Sequence, residues 1–288
     1  MINYSEPLFR PPAEANSLIF QISYGCPHNK CRFCGMYKGV QYHVRNFDAV
    51  KSEIKQAGKF YPETKRIFLA DGDVMFLGFT LLKEILEVLN ESFSNLARIN
   101  TYANGSSILS LSQEELRVLR KLKLNTLYMG LESGDDEVLN LVLKGESTGD
   151  MVEAVRNAQD CGLKCSVMAL LGIGGQKYSI RHAALTAESL NLMQPKILSI
   201  LRYIEVPGTK MYKGYKPLTE YAAVEELYNI VSALQLRRTV FTANHASNPL
   251  PLKGRFPNDK DRLLTEITTM LNSGLLDKNT QGATPVWL

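Results

Sequence analysis

The sequence lacks any apolar run that approaches the roughly 20 residues needed to cross a bilayer, so no transmembrane helix is predicted. The first six residues contain no charged leader followed by an apolar stretch, and a signal peptide is therefore not expected. A basic tail or arginine-rich run is also missing, and the formal net charge of +4 is spread along the chain. These absences predict a cytoplasmic protein with neither a membrane nor a nucleic acid as its partner.

Cysteine is scarce, since the 288 residues contain only five. An odd number with three close together is a poor disulfide framework, and it fits a reducing compartment and a metal site instead. The outlying pair, Cys161 and Cys165, provides too few ligands for a second cluster, and Cys165 begins an apolar run. We expect both to be core or incidental thiols, and the sequence assigns them no role.

The other three cysteines, Cys26, Cys31 and Cys34, share one short loop. Three thiolates form a nearly complete ligand set for a soft metal, but structural zinc and iron–sulfur sites normally use four protein ligands. One coordination position is therefore left for something else. One alternative is a structural zinc site completed by His28 or His43, which would make the protein a zinc-stabilised binding module without catalysis.

Short apolar runs alternate with helical patterns along the chain. Hydrophobic residues make up 45% and charged residues 22%, which is typical of a globular enzyme. Six runs read as buried strands, at residues 18–23, 66–70, 97–102, 126–131, 165–171 and 197–201. Six strand–helix repeats indicate an α/β fold with a parallel sheet, either an open doubly wound sheet or a partial barrel.

Helical patterns follow the strands, and two have recognisable starts. Thr80 is positioned to cap the second helix, and Ser112 with Glu115 forms a capping box. The longer predicted helices cover residues 47–60, 112–122, 151–159, 180–193, 220–237 and 259–272. No linker rich in Pro, Gly or Ser interrupts the chain, so we expect one domain: a core at residues 1–240, with a C-terminal helical extension at residues 241–288 packed on it.

Distinctive polar residues and glycines follow the strands, at the carboxyl ends where parallel α/β proteins gather their functional groups. Besides the cysteine loop, these are Asp71-Gly72-Asp73, Asn104, Glu132-Ser133-Gly134, the glycines from Gly172 to Gly175, and Arg202-Tyr203. Each also has a purely structural interpretation. The aspartates could end a strand in a turn, Glu132 could help to cap a helix, the glycines could form a plain turn, and Arg202 could belong to a structural ion pair.

With these motifs, the chain resembles the radical S-adenosylmethionine (SAM) superfamily. Members place three cysteines after the first strand, with an aromatic residue before the third, as Phe33 stands here. The resemblance implies a partial (β/α)6 TIM-like barrel and a 4Fe–4S cluster held by Cys26, Cys31 and Cys34. SAM chelates the fourth iron. Reductive cleavage then gives a 5′-deoxyadenosyl radical that takes hydrogen from the substrate, so an oxidoreductase is expected.

The same resemblance implies roles for the other rim residues. Asp71-Gly72-Asp73 stands where the family has a Gly-Gly-Glu motif that holds the ammonium of SAM, and Asn104 would help to position SAM. Glu132 would contact SAM, and Gly172 would lie near the adenine with backbone contacts from Phe33. Arg202 would pair with the SAM carboxylate, because a guanidinium matches a carboxylate fork.

One spacing departs from the family pattern. Four residues separate Cys26 from Cys31, where three are commonest, and one extra residue adds about 3.8 Å of chain. The motif from Gly130 to Gly134, followed by Lys144-Gly145, is similar to that of oxygen-independent coproporphyrinogen oxidases and methylthiotransferases. The unusual spacing leaves the subfamily open.

The substrate side is predicted from position alone. Tyr203, Asn244 and His245 are candidates, although His245 could equally hold the tail in place. His182, on a predicted helix beside Arg181, is expected to face solvent. Neither a further cysteine cluster nor an RNA-binding module is evident in the sequence, which favours a small-molecule or peptide substrate. An electron donor such as flavodoxin or ferredoxin is expected as a partner.

Overall fold

The computed structural model describes residues 2–282. Met1 and residues 283–288, the end of the predicted C-terminal extension, lie outside the described residues. The described chain forms ten strands: β1 (Leu18–Gln21), β2 (Ser23–Tyr24), β3 (His43–Val44), β4 (Arg66–Ala70), β5 (Arg98–Tyr102), β6 (Leu124–Glu132), β7 (Lys164–Leu171), β8 (Ile197–Arg202), β9 (Thr239–Thr242) and β10 (Lys253–Phe256).

The same residues form nine α-helices and two short 3₁₀ turns. The helices are α1 (Phe47–Phe60), α2 (Phe79–Ser92), α3 (Gly105–Leu109), α4 (Gln113–Lys121), α5 (Asp136–Leu141), α6 (Thr148–Asp160), α7 (Gly175–Met193), α8 (Glu220–Ala233) and α9 (Lys260–Asn272). Ser112 and Glu115 form the predicted capping box at the start of α4. Within residues 2–282, no helix is both long and apolar enough to span a membrane.

The chain divides into two compact units, and the first contains Met1–Asn29, Met36–Met129 and Glu153–Cys165. Here β1, β4, β5 and the first part of β6 pair in parallel, in the order of the chain. Most residues of these strands are buried, including polar ones such as Asn100 and Thr101 on β5. Phe20 on β1 and Phe68 on β4 are fully buried. β2 and β3 form a small antiparallel ribbon on either side of the cysteine loop.

The second unit contains Lys30–Gly35, Gly130–Val152 and Ser166–Leu288. In it β8 pairs in parallel with both β7 and β9, and β10 lies antiparallel to β9. Helix α7 packs against α8, and α8 packs against α9. Several tyrosines at the end of β8 and in the loop that follows pack against the turn between β7 and α7.

All six predicted strands are present, and the predicted α/β class is confirmed. Four further strands were not predicted as such: the two-residue strands β2 and β3 of the ribbon, and β9 and β10. β9 has only four residues, and β10 is equally short and contains a glycine and two charged residues, so neither gives an apolar run. The assignment of Thr80 as a cap is wrong, since α2 begins at Phe79 with Gly78 before it. The division at residue 240 stays a prediction.

Candidate functional site

In the first unit, Asp71 holds the backbone that leads into the cysteine loop. It directly follows β4, and its carboxylate is almost completely buried. Oδ2 accepts a hydrogen bond from the backbone N–H of Gly25 at 3.0 Å, and both oxygens lie 3.4 Å from the amide nitrogen of Gln21. Burial raises the pKa of Asp71 to about 6, against the opposing effect of these hydrogen bonds. Asp71 therefore fixes the residue before Cys26.

Gly72 lies directly against Cys26. Its N–H donates to the carbonyl oxygen of Gly25 at 3.1 Å. A Cβ on Gly72 would come within 2.8 Å of the Cβ of Cys26, which is closer than two carbon atoms can pack. Only glycine lets the end of β4 approach the first cysteine this closely.

Asp73 has one satisfied oxygen and one without a partner. Its Oδ2 accepts hydrogen bonds from the hydroxyl of Ser107 at 2.5 Å and from the side-chain amide of Asn104 at 3.2 Å. Its Oδ1 is buried and has no hydrogen-bond partner within residues 2–282. Burial raises the pKa of Asp73 to about 6, although Ser107, Asn104 and the backbone of Phe76 oppose this effect. A buried carboxylate oxygen in this state is suited to accept a hydrogen bond from a cationic ligand.

Two hydroxyls missed by the sequence analysis belong to the same place. Ser23 Oγ and Tyr42 OH are buried and form no hydrogen bond of good geometry within residues 2–282. Burial raises the pKa of Tyr42, the charge of Asp73 adds to this effect, and the nearby hydroxyl of Ser23 opposes it. Tyr42 also meets the exposed Phe76 edge to face, with 5.8 Å between the ring centroids. Ser23 begins β2 and Tyr42 directly precedes β3, so both lie next to the cysteine loop in the chain. That position was the signal in the sequence that could have pointed to them.

In the second unit, Phe33 anchors the other end of the cysteine loop. Its ring packs against a buried cluster that includes Val138, Ile173 and Tyr203. The N–H of Arg32 donates to the carbonyl of Val142 at 2.9 Å. Phe33 directly precedes Cys34 and comes two residues after Cys31, and both cysteines are half-buried.

Glu132 forms a buried ion pair with Lys144, with 3.4 Å between Oε1 and Nζ. Glu132 ends β6 with a left-handed φ of 62°, and its side chain folds back over Gly130. A Cβ on Gly130 would lie 1.8 Å from Glu132 Oε1. Burial raises the pKa of Glu132, although Lys144 opposes this effect. Burial disfavours the charged form of Lys144 and so lowers its pKa. The negative charges of Glu132 and Cys31 outweigh this effect, and the pKa of Lys144 is raised.

Gly172 directly follows β7 in a tightly bonded turn, with a left-handed φ of 77°. Its N–H donates to Glu226 Oε1 at 2.6 Å, and its carbonyl accepts from the hydroxyl of Tyr215 at 2.9 Å. Tyr203 is buried beside the same turn.

Arg202, at the end of β8, is bonded to the C-terminal part of the chain. One of its terminal nitrogens donates to the carbonyl of Gln281 at 2.6 Å, and burial lowers the pKa of its guanidinium. Its backbone N–H donates to Ser247, whose hydroxyl lies 2.8 Å from His245 Nδ1. Asn244 is exposed. The roles predicted for Arg202, Tyr203, Asn244 and His245 toward SAM or substrate stay predictions.

The structure thus gathers the predicted residues in two groups. Cys26 lies with Asp71, Gly72, Asp73 and Asn104 in the first unit. The second unit contains Cys31, Phe33, Cys34, Glu132, Gly172, Arg202 and Tyr203. Within residues 2–282, no three His, Cys, Asp or Glu side chains are already arranged as a metal site.

The model of the radical SAM superfamily matches residues 20–185, more than half of the chain. The chain belongs to the radical SAM superfamily. The family that the cysteine loop and the strand-end motifs resembled is therefore confirmed, and its members use SAM and a 4Fe–4S cluster as cofactors. This membership also supports the prediction that the protein is an enzyme.

Two curated relatives and one solved structure illustrate the relationship. The heme chaperone HemW of Bacillus subtilis is 25% identical over 176 residues, which cover 59% of this chain and 46% of HemW. The tRNA uridine(34) acetyltransferase of Methanocaldococcus infernus is 22% identical over 249 residues, covering 69% of this chain and 46% of that protein. The chain spans about half the length of these curated relatives.

Coproporphyrinogen III oxidase (HemN) from Escherichia coli, described as a radical SAM enzyme, has a similar structure. The TM-score is 0.55 with 18% sequence identity, over 89% of this chain and 52% of that chain. At this identity the likeness shows the fold alone.

Proposed function

We propose that the protein is a radical SAM enzyme in which Cys26, Cys31 and Cys34 ligate a 4Fe–4S cluster. Thiolates are suited to iron–sulfur clusters, and three of them can hold three irons of a 4Fe–4S cluster and leave the fourth iron for another ligand. When bound, the cluster and SAM would supply a 5′-deoxyadenosyl radical able to take hydrogen from a substrate. This assignment makes the protein an oxidoreductase.

The observation that carries the proposal is the unpartnered oxygen of Asp73 beside Cys26. Oδ1 of Asp73 is buried without a hydrogen-bond partner within the described residues, as are the hydroxyls of Ser23 and Tyr42. Gly72 brings the end of β4 into contact with Cys26. A buried carboxylate with polar neighbours fits the ammonium group of an amino acid, which SAM carries. The residues present therefore fit this cofactor.

The chain's own residues would act by binding and orientation. Asp73 would accept a hydrogen bond from the ammonium through Oδ1, while Asn104 and Ser107 hold Oδ2 in place. Asp71 would keep Cys26 in position through Gly25. Because Asp73 has a pKa of about 6, it is mostly ionised at neutral pH and able to pair with a cation.

Glu132, Gly172 and Phe33 are proposed to contact the rest of SAM, as the family resemblance implies. Arg202 is proposed to pair with the SAM carboxylate, and its side chain also donates to the carbonyl of Gln281. The proposed substrate is a small molecule or peptide contacted by Tyr203, Asn244 and His245. The proposed electron donor is a flavodoxin or ferredoxin, and a cytoplasmic location fits thiols that must stay reduced.

The test begins with anaerobic reconstitution of the full chain with iron and sulfide. The proposal expects brown protein with about four irons per chain, and release of 5′-deoxyadenosine from SAM after reduction with dithionite. Cys34→Ala should abolish that release. Cys161→Ala is the matched control, because Cys161 lies outside the cysteine loop. Its thiol donates to the carbonyl oxygen of Gln113.

Colourless protein that holds stoichiometric zinc would overturn the proposal and favour the zinc-stabilised module instead. A Cys34→Ala variant that released 5′-deoxyadenosine at the normal rate would remove the cysteine loop from the mechanism.

A further inference from the structure

His182 and Glu226 form a buried polar pair that the proposed function does not use. The expectation that His182 faces solvent is wrong, because the side chains of both residues are completely buried. His182 Nε2 lies 3.7 Å from Glu226 Oε1. The helical pattern alone could not reveal this burial, since α8 and the turns at the ends of β6 and β7 cover this part of α7. A buried acid and base need compensating hydrogen bonds, and these bonds lead to two turns.

The first turn follows β6, directly after Glu132. Its backbone N–H groups donate to two hydroxyls, from Gly134 to Thr186 Oγ1 at 2.8 Å and from Asp135 to Ser133 Oγ at 3.0 Å. Both hydroxyls in turn face His182 Nδ1, at 2.7 Å for Ser133 and 3.3 Å for Thr186.

The helix that carries His182 also touches this turn directly. A Cβ on Gly134 would lie 2.2 Å from the carbonyl oxygen of Leu185 in α7. The turn after β6 is therefore pressed against α7 and bonded to it through the imidazole of His182.

The contacts of Nδ1 and the burial of the ring favour one protonation state of His182. Ser133 Oγ already accepts the N–H of Asp135, so its own proton is available for Nδ1. Burial lowers the pKa of His182 to about 4, and the ring is therefore neutral at pH 7. With Nδ1 as the acceptor, the ring proton sits on Nε2, which lies 3.7 Å from Glu226 Oε1 and has no hydrogen-bond partner within residues 2–282.

The second turn follows β7, at Gly172. Glu226 Oε1 accepts the N–H of Gly172 at 2.6 Å, and Oε2 accepts the hydroxyl of Ser179 in α7 at 2.5 Å. Glu226 in α8 thus joins the end of β7 to the same helix that carries His182. Helix α7 is therefore hydrogen-bonded to the turn after β6 directly, and to the turn after β7 through Glu226.

We propose that His182 and Glu226 are positioning residues that hold the turns after β6 and β7, His182 through Ser133 and Glu226 through the N–H of Gly172. Any effect on SAM rests on the proposed function, because Glu132 and Gly172 are the residues proposed to contact SAM there. The hydrogen bonds themselves do not depend on that assignment.

Hydrogen exchange of the full chain tests the positioning role without SAM. Glu226→Met removes the acceptor for Gly172, and His182→Leu removes the acceptor for Ser133. Loss of one buried hydrogen bond predicts roughly tenfold faster amide exchange in the adjoining turn, at residues 170–175 for the first variant and 131–136 for the second. Glu226→Gln keeps an acceptor oxygen, and His182→Asn keeps one near the Nδ1 position, so both should exchange like the wild type.

Glu225→Gln is the control for the helix itself, since Glu225 is the exposed neighbour of Glu226 in α8. Unchanged exchange at both turns in the Met and Leu variants would overturn the proposal. Equally fast exchange in Glu226→Gln and His182→Asn would also overturn the proposal, because the loss of a hydrogen bond would then not explain the faster exchange.

Nitrogen-15 chemical shifts of the wild-type histidine give a test that needs no variant to fold. The expected result is a neutral ring with its proton on Nε2. A proton on Nδ1 would overturn the proposed direction of the Ser133 bond.

SAM affinity of the reconstituted protein separates this inference from the proposed function. Weaker binding, by about tenfold in Glu226→Met with recovery in Glu226→Gln, is the expected result. Faster exchange with unchanged SAM affinity would contradict the placement of SAM at these turns, while leaving the positioning role intact.

Discussion

The carboxylate of Asp71 accepts a hydrogen bond from the backbone N–H of Gly25, with 3.0 Å between nitrogen and Oδ2. This bond joins the end of β4 to the residue before Cys26. It is almost completely shielded from water, since both residues are buried. A surface contact of the same length would matter little, whereas this one determines where the cysteine loop begins.

Replacing Asp71 with Ala should therefore loosen the start of the loop. The buried N–H of Gly25 would lose its acceptor, at a cost of about 1–3 kcal/mol in the free energy of unfolding. Asp71→Asn keeps an acceptor oxygen and should lose less. Urea unfolding measures the stability, and iron per chain after reconstitution measures the effect on the loop. Equal stability and iron content in the two variants would contradict this role.

Gly130→Ala should break the ion pair between Glu132 and Lys144. The new Cβ would lie 1.8 Å from Glu132 Oε1, so the carboxylate must move. Separating a buried pair costs about 3–5 kcal/mol because a charge is left uncompensated. In a Glu132→Ala background the same Gly130→Ala change should cost little, since the side chain in its way is gone.

A double-mutant cycle of the Gly130 and Glu132 substitutions, followed by urea unfolding, measures this coupling. Gly149→Ala is the control, because nothing but the Ser147 hydroxyl, at 3.9 Å, lies near its added Cβ. Additive effects of the Gly130 and Glu132 changes would show that the clash is relieved elsewhere.

His182 and Glu226 should each make the free energy of unfolding depend on pH, with opposite signs, so that their two contributions cancel in the wild type. Burial lowers the pKa of His182 from 6.5 to about 4, so the unfolded chain binds more protons and stability rises between pH 4 and 6.5. Burial raises the pKa of Glu226 from 4.5 to about 7, so the folded chain binds more protons and stability falls between pH 4.5 and 7.

Each conservative variant should expose the slope of the remaining residue. Relative to the wild type, Glu226→Gln should gain stability from pH 4.5 to 6.5, and His182→Asn should lose it, each by on the order of 2 kcal/mol. Thermal unfolding across this pH range measures both. Parallel pH profiles for all three proteins would show that the two groups do not titrate as their burial requires.

Tyr42→Phe should affect ligand binding more than folding. The phenol oxygen is buried without a hydrogen-bond partner within the described residues, so its removal should leave the melting temperature unchanged or slightly higher. SAM affinity should fall several-fold if the hydroxyl helps to bind SAM next to Asp73. Tyr61→Phe is the control, since Tyr61 is 52% exposed. Unchanged SAM affinity in Tyr42→Phe would remove Tyr42 from the site.

Local sequence patterns predict the elements of this fold whose residues contact one another within a short stretch of chain. Phe68 and its neighbours on β4 form a short apolar run of the length typical of a buried strand, so the six main strands were predictable. Ser112 and Glu115 cap α4 through local contacts, which depend on spacing alone. β9 and β10 were missed because their stability comes from pairing at the edge of the sheet, and not from an apolar run of their own.

The site divides in the same way. The three cysteines, Asp71-Gly72-Asp73 and Glu132 could be found because they follow strands in the chain. Ser23 and Tyr42 could not, because hydroxyl residues are common and only their burial without partners marks them.

The sequence by itself determined the α/β class, the family and the chemistry of the donor set, because strand patterns and the cysteine loop are local features of the chain. Only the tertiary structure decided which polar groups are buried and what they bond to. Helix α7 carries His182 to the turns after β6 and β7, and β4 carries Asp71 to Gly25, across 49 and 46 positions of the chain respectively. Contacts between residues so far apart depend on how whole elements pack, which no local pattern encodes.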